Sequence, residues 1–454
     1  MNCIVRLAGG QRLFYPSRRI GIVSFIPPLT PSGVTLRVPA MKIFASVLLL
    51  VIAIPVSAQT AGDPSARAAG MGGAFVAQVD DPSAIYYNPG ALGLLKKKKG
   101  ATAGASYTKH AEGLFQGLPP GIAAGTAAKQ KSGATTLPFV FGTAPLGGHL
   151  VSGIGIYSPL RIDSKWATPE TYAGRFLATN SLIQARDIAT MFGVKATHFG
   201  IGAGAIMRTS SIASDRRLGS TLDGTIRDVA TLQMKTDDVR AYGWSAGMLI
   251  RSSPAFSLGL TYRSRIRADY NGAGKLTQIP TGNAQFDQLV AASFPFGKDL
   301  ALTSAFEFPA QATAGVAFAL GAPLLLEIDA TQTDWSGVTA VPFTFPNTTN
   351  ISSIVPLRLK KATDLRAGLR FAFPTGPHIR LGYAILKSPQ PNETVGAFLS
   401  TANRNTITAG FGLDWLDLAV AWTQQSERSI TTNVDQLNGR YRGNEWAVIM
   451  SVTK

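Results

Sequence analysis

The sequence predicts an all-β protein, a 14-stranded antiparallel transmembrane β-barrel with an N-terminal hatch inside the lumen. Three observations predict it. From about residue 100 onward, segments of roughly 8 to 14 residues alternate between apolar and small or polar side chains, and period-two alternation places two faces in different solvents. The gaps between these segments are long and short in turn, as in even-stranded barrels with short periplasmic turns and longer outer loops. Only 15% of residues are charged, against roughly 25% in soluble domains, yet no apolar run after residue 58 reaches the about 20 residues of a membrane helix.

Residues 1–40 carry no acid and no periodicity, and are read as an upstream extension outside the functional protein. "MKIFASVLLLVIAIPVSAQT" then opens at Met41 with one Lys, an apolar stretch, and Val56-Ser57-Ala58 before Gln59. Small residues one and three positions before a cut make residues 41–58 a secretory signal peptide, and the apolar run is too short for a membrane helix. Cys3 is the sole cysteine, so a mature chain starting near Gln59 has no disulfide and no thiolate metal site. The chain is exported.

Residues 59–99 are read as the hatch, and within them residues 65–95 are too apolar for a linker, too rich in Gly, Pro and Asp for a helix, and without strand alternation. Gly70, Gly72 and Gly73 allow tight turns. Asp80-Asp81-Pro82-Ser83 can start a short helical turn, with an Asp capping ahead of Pro. Asn88-Pro89-Gly90 is a turn signal. With a barrel following, so compact and apolar a segment is expected to fold into the lumen as a plug, a periplasmic tail being the alternative.

Residues 100–454 form the barrel. The strands fall near 100–107, 134–144, 150–158, 183–196, 199–212, 238–251, 255–268, 308–320, 323–335, 362–373, 378–387, 404–413, 415–425 and 443–453. In "HIRLGYAI", Ile379, Leu381, Tyr383 and Ile385 oppose His378, Arg380 and Gly382. Long connections are expected at 108–133, 159–182, 213–237, 269–307, 336–361, 388–403 and 426–442. A soluble sandwich also alternates, but it has no reason to segregate loop lengths between its ends. Backbone groups in lipid must be paired, so the sheet must close. Tyr242, Trp244, Trp422 and Trp446 face outward near strand ends, as interfacial girdles do. The chain ends on Lys454 rather than on the aromatic residue such barrels tend to carry.

"ARAAGMGGAFVAQVDDPSAIYYNPGALGLL" resembles the N-terminal hatch of the FadL/TodX family of outer-membrane transporters for long-chain fatty acids and hydrocarbons. The resemblance continues in "YGWSAGMLIRSSPAFSLGLTYRSRIRADYNG" at 242–272, "TDWS" at 333–336, and "IRLGYAILKSPQPNETVGAFLSTANRNTITAGFGL" at 379–413, so it covers nearly all of the mature chain. It implies a monomeric 14-stranded barrel plugged by the hatch, in the outer membrane of a Gram-negative bacterium. It also implies contact with lipopolysaccharide and outer-membrane lipid, and insertion by the barrel assembly machinery. The family's Asn-Pro-Ala hatch turn, which gates ligand release, corresponds to Asn88, Pro89 and Gly90, with Gly in place of Ala. Its kinked third strand, which opens the wall sideways, corresponds to "LVSGIGIYSPLRI". A Pro within a strand belongs where the ladder is interrupted, so Tyr157, Ser158 and Pro159 are expected to border the opening.

A hydrophobic small molecule crosses the polar outer surface best along an apolar groove. "FDQLVAASFPF" at 286–296 supplies Phe286, Leu289, Val290, Phe294 and Phe296 for capture, and "VPFTFP" supplies Phe343 and Phe345; both stretches could equally be loop packing. A fatty acid also needs cations for its carboxylate. Arg208, Arg263, Arg265, Arg366, Arg370 and Arg380 face inward, most of them expected to pair with lumen acids such as Glu327, Asp329, Asp364 and Asp417. The function expected is uptake of long-chain fatty acids by loop capture, hatch gating and lateral exit. Aromatic or alkane hydrocarbons are the first alternative, and a general porin or structural barrel the second. The net charge is +17, of which the first 58 residues hold six. The remaining charges are spread over strands and loops without a basic helix or stacking platform, so nucleic acid is not expected and an anionic membrane surface is the better partner. His110, His149, His198 and His378 are scattered without metal-ligand or catalytic spacing, so neither cofactor, metal nor enzymatic activity is expected.

Overall fold

The computed structural model describes residues 63–454, residue 322 excepted; the signal peptide assigned to 41–58 and the upstream extension lie outside the described residues. Fourteen strands form the barrel. They are β1 (Gly100–His110), β2 (Gly133–Gly147), β3 (Leu150–Lys165), β4 (Asn180–Lys195) and β5 (Phe199–Leu222). Then come β6 (Val239–Ser253), β7 (Phe256–Arg263), β8 (Ala310–Ala319), β9 (Leu324–Asp334) and β10 (Lys361–Ala372). The last are β11 (His378–Leu386), β12 (Arg404–Gly412), β13 (Leu416–Gln425) and β14 (Asn444–Thr453). Each pairs antiparallel with the next. The ladder from Thr102↔Thr453 to His110↔Glu445 joins β14 to β1 and closes the sheet. Closure pairs the first strand with the last, as the hydrocarbon core demands, and the upper halves of β2 and β3 are the one stretch of the described wall where neighbouring strands part.

Burial is inverted relative to a soluble protein. On β11, Leu381 is 54% exposed while Arg380 beside it is 3% exposed. On β14, Trp446, Val448 and Met450 are exposed while Glu445 and Ser451 are buried. Large apolar side chains face lipid and polar ones face the lumen. The outer ends of the strands carry Tyr107, Tyr242, Trp244, Tyr262, Tyr383, Trp422 and Trp446, all exposed. Tyr107 packs against Trp446 at 5.6 Å and Trp244 against Tyr262 at 5.1 Å. The inner ends carry Phe192, Phe199, Phe318, Phe371 and Phe411, with Trp415. Two aromatic belts bound an apolar band, and the outer belt is the one with polar handles for headgroups.

The outer side departs from expectation. The connections at 213–237 and 269–307, read as loops, are largely strand. Beyond Ala213, β5 pairs with Thr225–Thr236, which pairs with Ile266–Gln278, and that with Asp299–Phe308. The ladder continues through Ala340–Thr344 to Ser353–Pro356. The expected strand at 255–268 is accordingly divided at Ser264-Arg265, where the chain leaves β8 and joins this outer sheet. Above the membrane both faces meet water or the lobe's own core, so the two-solvent alternation that marks the barrel fades. Asp223 and Gly224 have φ of 51° and 73°, the Asp-Gly hairpin turn that reports these strands from the sequence. The lobe has its own apolar centre: Trp166 stacks on Tyr172 at 3.8 Å, with Phe115, Phe343, Phe345 and Phe398 buried nearby in the cluster.

Candidate functional site

The hatch fills the lumen. Ser65 caps helix α1 (Ala66–Gly70), accepting from Ala68 N. Asp81 Oδ1 accepts from Ser83 N at 2.8 Å ahead of helix α2 (Ala84–Tyr87), the Asp-before-Pro start expected. Thr408 on β12 receives the first turn, its Oγ1 accepting from Gly72 N at 2.9 Å. Asp329 Oδ2 on β9 accepts from Phe75 N at 2.9 Å and Val76 N at 3.1 Å, and Glu327 Oε1 accepts from Ala77 N at 2.6 Å. These two acids, expected to neutralise arginines, instead hold hatch backbone by hydrogen bonds.

Asn88, Pro89 and Gly90 form one seat. Asn88 Oδ1 accepts from Gly90 N at 3.0 Å, while its Nδ2 donates to Val76 O at 2.9 Å and to Met248 O at 3.0 Å. The turn lies against wall positions without side chains. A Cβ on Gly247 would fall 2.2 Å from Asn88 Oδ1, one on Gly202 2.2 Å from Pro89 O, and one on Gly200 2.2 Å from Gly90 O. The same closeness explains Gly90, since a Cβ there would lie 2.6 Å from Met248 Cα. The departure from Asn-Pro-Ala follows from how near this turn sits to β6.

Tyr157, Ser158 and Pro159 stand where the wall is interrupted. The β2–β3 ladder ends at Val140↔Ile156. It resumes only above, where Lys131 N donates to Lys165 O at 2.8 Å beside the Gln130↔Trp166 bridge. On its other side β3 shifts register against β4 between Tyr157 and Leu160, one extra residue that makes a bulge. Pro138 on β2 and Pro159 on β3 both flank the unpaired stretch, each without an N–H to leave unsatisfied. Tyr157 turns inward and is fully buried. Its ring meets hatch Tyr86 edge-on at 4.9 Å and Phe141 at 5.8 Å.

The predicted arginines are not one cluster. Arg208 binds Asp187 through Nε at 2.7 Å and Nη2 at 2.8 Å. Arg380 pairs with Asp417 at 2.9 Å, and hatch Arg67 reaches the same acid at 2.7 Å. Arg370 reaches hatch Asp80 at 3.4 Å, and Arg366 pairs with Asp364 at 3.1 Å. Arg265 lies in the outer lobe with Glu307 and Asp334 at 3.2 and 3.5 Å. Arg263 differs: it pairs with no acid among the described residues. Its guanidinium lies 4.4 Å over the Tyr86 ring and donates to Tyr86 O at 3.0 Å, which sets a cation beside the wall interruption.

The capture residues divide as well. Phe286, Leu289 and Val290 ride on helix α3 (Ala284–Ser293), whose cap Asn283 accepts from Phe286 N at 3.0 Å. Leu289 is 66% exposed at its tip and Val290 is buried. Phe294 and Phe296 pack against the lobe's apolar cluster, rings 6.0 Å apart. Phe343 and Phe345 are buried within that cluster. The sequence reading missed a neighbouring cleft of about 70 Å³, where Phe176, Leu177, Phe398 and Leu399 meet Arg216, Thr394 and Asp435. Arg216 donates through Nη2 to Ile351 O at 2.7 Å, its Nε has no partner, and no described acid pairs with it. Burial holds its pKa below the ordinary arginine value, a direction that follows from desolvating an uncompensated cation. The Asp223-Gly224 turn was the signal that would have placed Arg216 on a strand.

A closed barrel with lipid-facing apolar sides, a lumen filled by its own N-terminal segment and an interrupted wall defines a plugged outer-membrane transport barrel. Residues 48–453 match the family described as outer membrane protein transport protein (OMPP1/FadL/TodX), and the chain belongs to that family. It is an outer-membrane transporter of hydrophobic compounds in a Gram-negative bacterium. Among solved structures, a FadL homologue of Pseudomonas aeruginosa aligns with a TM-score of 0.75 at 19% identity, over 88% of this chain and 99% of that one. The toluene transporter TodX of P. putida aligns at 0.63 and 16% identity, over 85% and 97%. The Ralstonia pickettii toluene transporter TbuX aligns at 0.62 and 14% identity, again over 85% and 97%. These likenesses concern the fold. No curated protein matches the sequence.

Proposed function

We propose that the protein takes up long-chain fatty acids and performs no chemistry on them. The acid enters the outer cleft with its chain against Phe176, Leu177 and Phe398 and its carboxylate on Arg216. It passes into the lumen, where Arg263 offers the next cation, and leaves sideways between β2 and β3 past Tyr157, Ser158 and Pro159. The Asn88-Pro89-Gly90 turn sets whether the hatch stays seated during transfer. The observation that carries this reading is the Arg216 guanidinium, which lines the cleft with no ion-pair partner among the described residues although Asp435 lines the same cleft, since a neutral hydrocarbon gains nothing from a buried cation whose desolvation is costly. The filled lumen speaks against a general porin.

The test is uptake of labelled oleate and labelled toluene by an outer-membrane mutant lacking its own fatty acid transporter, complemented with this protein or with Arg216→Gln. Oleate uptake should be restored. Arg216→Gln should raise the half-saturating oleate concentration by about ten-fold, the scale of one hydrogen bond to a charged group, and leave toluene unchanged. Toluene uptake without oleate would move the substrate class to hydrocarbons. Free passage of small sugars through the intact protein, with neither compound taken up, would make it a porin.

A further inference from the structure

We propose that the run Lys96-Lys97-Lys98-Lys99 binds the phosphate headgroups of anionic phospholipids in the periplasmic leaflet, anchoring the inner rim where the hatch joins the barrel. Four consecutive lysines stand between buried Leu95 and the first residue of β1, and Lys96, Lys97 and Lys99 are exposed. None of the four pairs with an acid among the described residues. An ordinary solvated charged face would mix signs, and this run does not. The short turns at 148–149, 196–198, 254–255, 320–323, 373–377 and 413–415 hold one acid between them, Asp414.

Position selects the partner. The run starts beside the end of β4, since a Cβ on Gly93 would fall 2.6 Å from Lys195 N. It ends beside Lys454, whose N and O exchange hydrogen bonds with Ala101 at 2.9 and 3.0 Å. Six lysines therefore follow the rim beneath β1 to β4, at the height where the lipid-facing band begins. A lysine cluster directly flanking a membrane-spanning element is drawn to anionic headgroups within about a Debye length. The shared chemistry is phosphate on a lipid. A soluble anion would meet no wall to hold it there, and the lateral exit uses the opposite, outer half of β2 and β3.

In a Trp244→Phe/Trp422→Phe/Trp446→Phe background, which removes the exposed tryptophans of the outer belt, Trp415 is the reporter: it is 53% exposed and its O accepts from Thr453 N at 2.9 Å, next to Lys454. The chain would be reconstituted into phosphatidylcholine vesicles containing one fifth of either bromine-labelled phosphatidylglycerol or bromine-labelled phosphatidylcholine, and tryptophan quenching compared. Phosphatidylglycerol should quench with at least about five-fold preference, the effect of a single lysine near an anionic surface. That preference should fall to about one in Lys96→Gln/Lys97→Gln/Lys98→Gln/Lys99→Gln and survive in the matching Lys→Arg protein. Should the Gln protein fail to fold, the native chain in half-molar salt replaces it and should lose the preference. Equal quenching by the two lipids in the native chain, or full preference in the Gln protein, overturns the proposal.

Discussion

Asn88 does with one side chain what a longer loop would need several residues to do. Its amide satisfies Gly90 N on its own turn, Val76 O on the neighbouring hatch segment and Met248 O on the wall. Asn88→Ala leaves all three groups short of a partner inside a buried site, and an unsatisfied buried group costs roughly 1–3 kcal/mol. Hatch amides from Phe75 to Leu92 should then exchange hydrogen at least ten-fold faster, while those of β11 to β14 stay as they were. Unchanged hatch exchange would mean that the carboxylates of Glu327 and Asp329 hold the segment by themselves. The turn was legible in the sequence because Asn-Pro-Gly is local chemistry. Its second partner, Met248, was not, because it stands 160 residues away.

At the scale of the element, one extra residue in β3 lies where β2 and β3 stop pairing. Tyr157 faces Asp187 and Leu160 faces Ala185, so three steps on β3 match two on β4. Deleting Pro159 restores equal counting. The deletion should let β2 and β3 pair further upward, and it should cut oleate uptake by ten-fold or more while the barrel still shows a folded mobility on unheated gels. Uptake at the native rate in that variant would remove the lateral route. Pro159 announced the interruption in the sequence. Pro138 on the facing strand was passed over, although the two positions flank the same gap. The outer strands were harder to see because propensity and alternation report burial against two solvents, and above the membrane there is only one.

For the whole molecule the decisive arrangement is a closed wall around a filled lumen. Removing residues 59–95 empties the lumen without touching a barrel strand, since β1 begins at Gly100. The hatchless barrel should admit small sugars in a liposome-swelling assay at a rate at least several-fold above the intact protein. It should also unfold at lower temperature, because Thr408, Asp329, Glu327 and Asp417 lose their hatch partners inside the lumen. Equal swelling rates would mean that the hatch is not what closes the pore.

The sequence by itself determined the strand count, the lipid-facing side of strands such as β11, the barrel class and the plug. Each of these is written in near-neighbour pattern: period two, turn residues and loop lengths. Only the tertiary structure decided what the inward polar groups bind. Glu327 and Asp329 took hatch backbone instead of arginines, Arg208 found Asp187, and Arg263 and Arg216 were left without acids. Alternation says which side chains enter the lumen, but their partners depend on how the hatch winds across it, and that path is set by contacts between residues far apart in the chain.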